Sequence, residues 1–390
     1  MKIFKLKDIS EFIRNGVTIK QDISSKEGIP ITRIETISKG TIDFNKLGYA
    51  NIFKIEKYKE WLLKKGDILI SHINSEKHLG KSAIYLDNNY DIIHGMNLLC
   101  IRAIDKKVFP EYLQLFFKTN QYKKQIKKIT KKSVNQASFS VNDFKEILIT
   151  VPDLNIQEKI IKKIKVLEKI LENNKLKLNY LSELTKSLFT RMFGDIKSND
   201  KNWKIYKFSE KLKISSGGTP SKANKIYWEN GTISWIGSNM CNDEIITKND
   251  GKFITEEGLK NSSAKIYKMN TVIVALVGAT IGKTGLLKFE TSTNQNIAAL
   301  EIKNMDYSPE FLFFLLQNLY YKFTELGGDT FKMANLSFIK NLPLISPPIE
   351  LQNKFAERIE KIEKLKFEIE KSIEESQKLY NSLISKYFDN

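Results

Sequence analysis

Gly278-Ala279-Thr280-Ile281-Gly282-Lys283-Thr284 is the segment that most directly suggests chemistry. A glycine loop ending in Gly-Lys-Thr can wrap phosphate oxygens in backbone N–H groups and set a lysine on the terminal phosphate. Such a loop needs four residues between its glycines, and this one has three. A second copy, His78-Leu79-Gly80-Lys81-Ser82, has no first glycine. Binding of a nucleoside triphosphate is thus a weak alternative. Two readings stay open: a tight basic turn that meets nucleic-acid phosphate, or a structural hairpin with a solvated lysine.

Other motifs carry less. Ser346-Pro347-Pro348-Ile349 resembles the Ser-Pro-Pro-aromatic element of amino methyltransferases, but Ile349 stands where an aromatic ring would stack on a flipped base. No glycine-rich cofactor loop follows a first strand, and the counterpart Pro152-Asp153 suggests a simpler role, the start of a helix. The histidines His72, His78 and His94 and the cysteines Cys100 and Cys241 make no ligand spacing. We read no catalytic residue, no metal site and no cofactor.

Binding is better supported. With 63 Lys+Arg against 45 Asp+Glu and a net charge of +18, the chain is drawn to polyanions, of which nucleic acid is the usual one; part of the excess is the bias of a Lys-, Ile- and Asn-rich composition. Lys118, Lys123, Lys124, Lys127, Lys128, Lys131 and Lys132 recur along one stretch, interrupted by Tyr122, Gln125 and Ser133. They either track a phosphate backbone or form a solvated helix face. Its second copy, Leu319-Tyr320-Tyr321-Lys322-Phe323, lacks the charge, so the two copies are not expected to read the same sequence. Candidates for contact with DNA are Ser71, His72, Asn74, Lys77, Lys81, Lys123, Lys127, Asn135 and Gln136 in the first half. Those of the second half are Thr219, Ser221, Lys222, Thr280, Lys283, Gln295 and Lys332. Asn and Gln pair in two places with adenine and Lys with guanine, although many such residues simply build turns.

The elements that must position these residues occur twice. Residues 152–195 align without a gap on 347–390, with identities that include Pro152/Pro347, Gln157/Gln352, Glu168/Glu363, Leu184/Leu379 and Leu188/Leu383. Upstream, Lys2, Ile3, Lys5, Gly80 and Asn97 meet Lys204, Ile205, Lys207, Gly282 and Asn296 in preserved order. A period this long is domain duplication, which usually builds a pseudo-twofold object. The expected division is 1–151, a globular unit; 152–195, a long helix; 196–346, a second unit; and 347–390, a second long helix. In the units, Ile68-Leu69-Ile70, Leu98 to Ile101 and Ile147 to Ile149 are expected strands, with counterparts in Val272 to Val277, Ala298 to Leu300 and Leu342 to Ile345. One helix is expected in each, Tyr112 to Lys124 and Phe311 to Phe323, so the fold class is α+β.

In the first long helix, Ile160, Ile164, Leu167, Leu171, Leu178, Leu181, Leu188 and Met192 alternate in spacings of four and three, with polar gaps at Asn174 and Thr185. Phe355, Ile359, Ile362, Ile369, Ile373, Tyr380, Leu383 and Tyr387 repeat the pattern. Both are seams of coiled-coil type. At about 1.5 Å per residue each helix is roughly 55 to 60 Å long. The stripe must pack on the twin helix, on a domain or on another protein; the preferred reading is an antiparallel coiled coil in which Ile164, Leu167, Leu171, Leu178, Leu181 and Leu188 meet Ile359, Ile362, Ile369, Ile373 and Leu383.

The whole arrangement resembles the specificity subunit of type I restriction-modification systems. The resemblance rests on the order unit, long helix, unit, long helix and on the helix starts Pro152-Asp153-Leu154-Asn155-Ile156-Gln157 and Pro347-Pro348-Ile349-Glu350-Leu351-Gln352. The helix ends Leu188 to Gly194 and Leu383 to Phe388, the Gly217-Gly218-Thr219-Pro220-Ser221 loop with Trp228 and Trp235, and Gly278 to Lys283 add to it. The first unit departs from the pattern, with no Gly-Thr-Pro-Ser after Ser10 and with Ser71-His72-Ile73-Asn74 in place of the glycine loop. The resemblance implies two target-recognition domains that each read half of a bipartite, asymmetric double-stranded DNA site, with paired helices setting the gap. It implies a subunit without catalysis of its own that docks two methyltransferase subunits, joined by motor-nuclease subunits. The alternative is a duplicated-domain nucleic-acid scaffold without sequence specificity. The charged first residues and the lack of any long apolar stretch suggest a cytoplasmic protein without a membrane span, and the unpaired cysteines suggest a reducing compartment.

Overall fold

The computed structural model describes residues 2–21, 26–87, 90–134, 136–326 and 333–389. They form two compact units, one of Met1–Lys175 with Glu370–Asn390 and one of Leu176–Ile369. The long helices are Leu154–Phe193 and Ile349–Ile384, the second followed by a π-helical turn at Ser385–Asp389. Each unit therefore contains part of both. No helix among the described residues is long and apolar enough to cross a membrane.

The first unit is built on an antiparallel sheet with the strand order Ser10–Asn15, Leu98–Ala103, Ile68–Ser71, Ser82–Ile84. Its central strands are apolar at nearly every position because both faces are covered. Ile68, Ile70, Leu99 and Ile101 face the core shared with the helices, while Leu69, Leu98 and Cys100 face a second cluster with Ile37, Leu63, Tyr85 and Ile92. The second unit repeats this order in Leu212–Ser216, Ile297–Ile302, Val272–Ala275 and Thr284–Leu287, then adds Glu244–Ile246 in parallel at the edge. In each unit a short antiparallel pair leads into a long helix: Lys2–Lys5 with Leu148–Val151, and Ile205–Lys207 with Pro343–Ile345.

The single helix expected in each unit is two. Pro110–Phe116 and Asn120–Ile129 are separated at Thr119, whose hydroxyl accepts the Tyr122 N–H and caps a new helix start. Pro309–Asn318 and Tyr320–Thr324 break at Leu319. Apolar periodicity runs through both breaks because both pieces pack on one core, so it hides the change of direction.

In the first unit the helices run antiparallel. Asn174 Nδ2 donates to Ser372 Oγ at 3.0 Å, and Tyr380 Oη meets Glu168 Oε1 at 3.4 Å, so the partner number rises as the first falls. Ile160, Ile161 and Ile164 share their cluster with Ile384 and Phe388, while Leu167 and Leu171 are buried and Leu383 half-buried. In the second unit Phe189 and Phe193 meet Phe355 edge to face at 5.5 and 5.3 Å, with Ile359 and Ile362 in the same core and Leu181 and Leu188 packed against it. Leu178, Ile369 and Ile373 are half-buried. The four-three seam leads to Leu188 and Met192, yet their neighbours Phe189 and Phe193 are the fully buried ones. Both also meet Phe311 of the unit's own helix, at 6.0 and 4.7 Å, so this end of the long helix packs on its domain as well as on its twin.

Gln157 and Gln352 account for one of the repeat's identities. Each is completely buried one turn into its helix. Gln157 Oε1 accepts the Phe109 N–H at 2.9 Å, and its Nε2 donates to the carbonyls of Lys107 and Pro152. Gln352 does the same with Ser308 N–H and the carbonyls of Asp306 and Pro347. Each glutamine thus ties its long helix to the start of its unit's helix, Pro110–Phe116 or Pro309–Asn318.

Two histidines are also core residues. His72 and His94 are 5% and 1% exposed, and burial pushes both imidazoles down to about 4. His94 Nε2 lies 2.8 Å from the Leu98 carbonyl, and the Nδ1 atoms of both rings are buried without a hydrogen-bond partner.

Two outcomes are expected. Gln157→Ala or Gln352→Ala strands a main-chain N–H and two carbonyls, so urea unfolding should show a loss of about 2 kcal/mol or more for either. The histidines are neutral when folded and charge when unfolded, so their contribution is intact above pH 6.5, falls as the pH drops towards 4 and is constant below. From pH 7 to 5 the loss should be about 2 kcal/mol per histidine, and His94→Gln should flatten the profile.

Candidate nucleic-acid interface

The two Gly-Lys segments have one geometry. Each joins antiparallel strands, Ile68–Ser71 to Ser82–Ile84 and Val272–Ala275 to Thr284–Leu287. The Gly80 N–H donates to the Ser71 carbonyl and the Ser71 N–H to the Lys81 carbonyl; Gly282, Ala275 and Lys283 repeat this pair, all at 2.7 to 2.9 Å. Both glycines sit at φ +75°, where only glycine is unstrained. A helix closes on each turn: Tyr122 Oη donates to the Gly80 carbonyl, and a Cβ on Gly282 would fall 2.7 Å from the Phe323 ring. A phosphate loop leads from a strand into a helix N-terminus, and this hairpin does not. The lysine differs between copies. Lys283 Nζ lies 3.9 Å from Asp243, which also accepts the Thr284 N–H and hydroxyl, and Lys81 Nζ donates to the Ser38 carbonyl.

In the first unit the turn opens onto a groove of about 490 Å³. Lys77, Lys81, Lys123, Lys127 and Lys132 line it around a floor that includes Tyr122 and Ile126. The helix Asn120–Ile129 buries Tyr122 and Ile126 and exposes Lys123 and Lys127, so one amphipathic turn sets both the floor and the charge. Lys132 pairs with Glu76 at 2.9 Å. Four of the lysines picked from the sequence therefore meet at one place. Asn74 lies beside it in a small sheet, where Ile73–Asn74 and Lys131–Lys132 flank Ala137–Ser138. Asn74 Nδ2 donates to Ser71 Oγ, and Ser71 is buried, as is His72, which packs edge-on to Phe139. Gln136 is exposed at the end of the hairpin.

The second unit gathers polar groups without that charge. Two indoles hold the Gly217–Ser221 loop: Trp235 Nε1 donates to the Gly218 carbonyl at 3.0 Å and Trp228 Nε1 to the Ser221 carbonyl at 3.2 Å, with the rings edge to face 5.2 Å apart. A Cβ on Gly217 would fall 2.0 Å from the Thr293 carbonyl, so the close approach needs glycine. Thr219 Oγ1 donates to Gln295 Oε1 at 2.5 Å, and Ser221 and Lys222 are exposed. Thr280 and Lys283 lie on the separate Gly-Lys turn. Asn135 and Lys332 fall outside the described residues.

Sequence reading missed Glu76 and Asp243, the acids that engage Lys132 and Lys283. Both lie tens of residues from their partners, and no local pattern marks them. Ser346 to Ile349 is the start of the second long helix, with the Ser346 N–H bonded to the Lys204 carbonyl. Among the described residues no three His, Cys, Asp or Glu side chains cluster to hold a metal ion.

The chain as a whole is similar to known proteins. The family described as the type I restriction modification DNA specificity domain matches residues 1–181 and 200–378. A protein of Methanocaldococcus jannaschii named as a candidate MjaX specificity subunit of a type I restriction enzyme is 30% identical over 93% of this chain and 87% of its own length. The crystal structure of a type I restriction-modification S subunit from M. genitalium shares the fold, with a TM-score of 0.64 at 14% identity over 99% of this chain and 96% of that one. A chain from a structural study of complex assembly in the type I R-M system gives 0.56 at 16% identity over 99% and 97%. Two matched copies, spanning nearly the whole sequence, place this chain in the family of type I restriction-modification DNA specificity subunits.

Proposed function

We propose that the chain reads a bipartite, asymmetric double-stranded DNA sequence and directs adenine methylation and restriction by partner subunits, with no catalysis of its own. Residues 1–151 and 196–346 each read one half-site, while 152–195 and 347–390 pair to set the gap and carry the partners. One observation carries the reading: a recognition domain present twice keeps the same Gly-Lys turn in both copies but surrounds it with different chemistry. Lys77, Lys81, Lys123 and Lys127 fit a phosphate backbone, and Asn74, Asn135 and Gln136 are the first unit's candidates for base reading; Ser71 and His72, expected from the sequence to contact DNA, are buried in the fold and out of its reach. In the second unit Thr219 and Gln295 form a polar pair suited to base edges, with Ser221 and Lys222 exposed nearby in sequence, while Thr280, Lys283 and Lys332 are further candidates for contact with DNA.

Repeat-equivalent apolar residues that stay exposed support two copies of one partner. Leu184 and Leu379 are 51% and 50% exposed, and Ile170 and Leu365 likewise face solvent. An exposed leucine kept at the same position of both helices suits a docking surface that is used twice. Two methyltransferase subunits would occupy these faces, and motor-nuclease subunits would complete the assembly.

Genome-wide adenine methylation with the gene intact and deleted tests the reading, with loss of one bipartite motif expected on deletion. Replacing Lys77, Lys123 and Lys127 together by alanine should weaken binding to a duplex of that motif and lower the salt slope by about 0.9 per lost phosphate contact, leaving the motif itself unchanged. Gln295→Ala should alter one half-site only. Leu184→Asp with Leu379→Asp should abolish methylation in cells while the purified chain still binds the motif duplex.

A further inference from the structure

Val134 is 99% exposed, on a hairpin whose root is buried and paired. Ala137 and Phe139 are buried, Phe139 stacks on Phe144 at 5.3 Å, and the Ala137–Ser138 strand is paired on both sides. The Ser133 N–H and hydroxyl both donate to the Gln136 carbonyl, at 2.8 and 3.0 Å, and close the loop. Beside this packed and paired root, Val134 presents a bare isopropyl group to solvent. The residues around it are polar or cationic: Lys131, Lys132, Ser133 and Gln136 are all exposed, and Lys132 also lines the lysine groove.

Resting on the DNA-recognition reading above, we propose that this hairpin enters the major groove and that Val134 reads the C5-methyl group of a thymine in the first unit's half-site. A two-stranded ribbon fits the major groove, and the thymine methyl is the one apolar base feature displayed there. Flanking lysines give the approach its charge complementarity. Side chains that wedge between base steps are long or flat, such as Phe, Leu, Ile and Met, and valine is too short to span a step. Its branched end matches a single methyl group.

The test uses the full chain and duplexes of the methylated motif identified in the source cells, with each thymine of the half-site replaced in turn by uracil, which lacks only that methyl. Wild-type protein should lose binding at one thymine, and Val134→Ala should bind the unmodified duplex about tenfold more weakly, two methyl groups having been removed from the contact. The two changes should not add, so that Val134→Ala binds thymine and uracil duplexes alike. The salt slope should not change. Because Val134 touches nothing in the fold, the melting temperature should not move. Equal binding by Val134→Ala, or a uracil effect that persists in it, overturns the proposal while leaving bipartite reading intact. Wild-type protein with no preference for the motif overturns both.

Discussion

A helix of forty residues with an apolar stripe along one side has to bury that stripe, and the rest of the structure depends on how it does so. The largest core of each unit is shared with the long helices. In one, Ile160, Ile161 and Ile164 of the first helix and Ile384 and Phe388 of the second join the sheet in a single cluster; in the other, Phe189, Phe193, Phe355 and Ile359 do the same. Burying a large apolar side chain stabilises by about 1.5 to 3 kcal/mol, so three phenylalanines at one junction rival the whole net stability of a typical domain. The helices are therefore structural members of the domains, and cannot be treated as connectors between finished parts. Gln157 and Gln352 add direction to this apolar burial, since each fixes where its helix starts against main-chain groups that would otherwise be buried without partners.

On that base the units separate what is shared from what differs. The hydrogen bonds of the Gly-Lys turn, the left-handed glycine and the helix that closes over it are the same in both. Their surroundings are not. One turn borders a groove lined by five lysines, while the other keeps its lysine near Asp243, on a unit whose polar groups gather at a loop held by two tryptophans. A common turn with exchangeable surroundings lets two halves of a recognition subunit read different bases without a change in how either folds. It also accounts for a motif so close in sequence to a phosphate loop. The glycine is required by φ and by the packing of Phe323, and the lysine follows it at the end of a hairpin.

Much of this could be read from the residues. Duplication, the two long helices and the apolar strands follow from local periodicity, because a 3.6-residue stripe and a continuous β-branched run each carry their meaning in adjacent residues. The lysine run could be read as charge, although its alternatives, a phosphate track or a solvated face, could not be separated by sequence. The helix breaks at Thr119 and Leu319 were hidden, since residues on both sides of each break face one core. Phe189 and Phe193 were displaced from the expected seam because they answer to Phe311 as well as to the twin helix.

The sequence by itself determined the repeat, the fold class, the helix pattern and the family, each of which depends on residue types at short or regular spacing. Only the tertiary structure decided which lysines share a groove, that His72 is a neutral core residue, that Gln157 and Gln352 bond main-chain groups more than forty residues away, and that Val134 stands exposed beside a paired strand. The reason is physical. Periodicity is a property of neighbours along the chain, whereas a groove, a buried ring or an ion pair is made by residues that meet only when the sheet and helices close on each other.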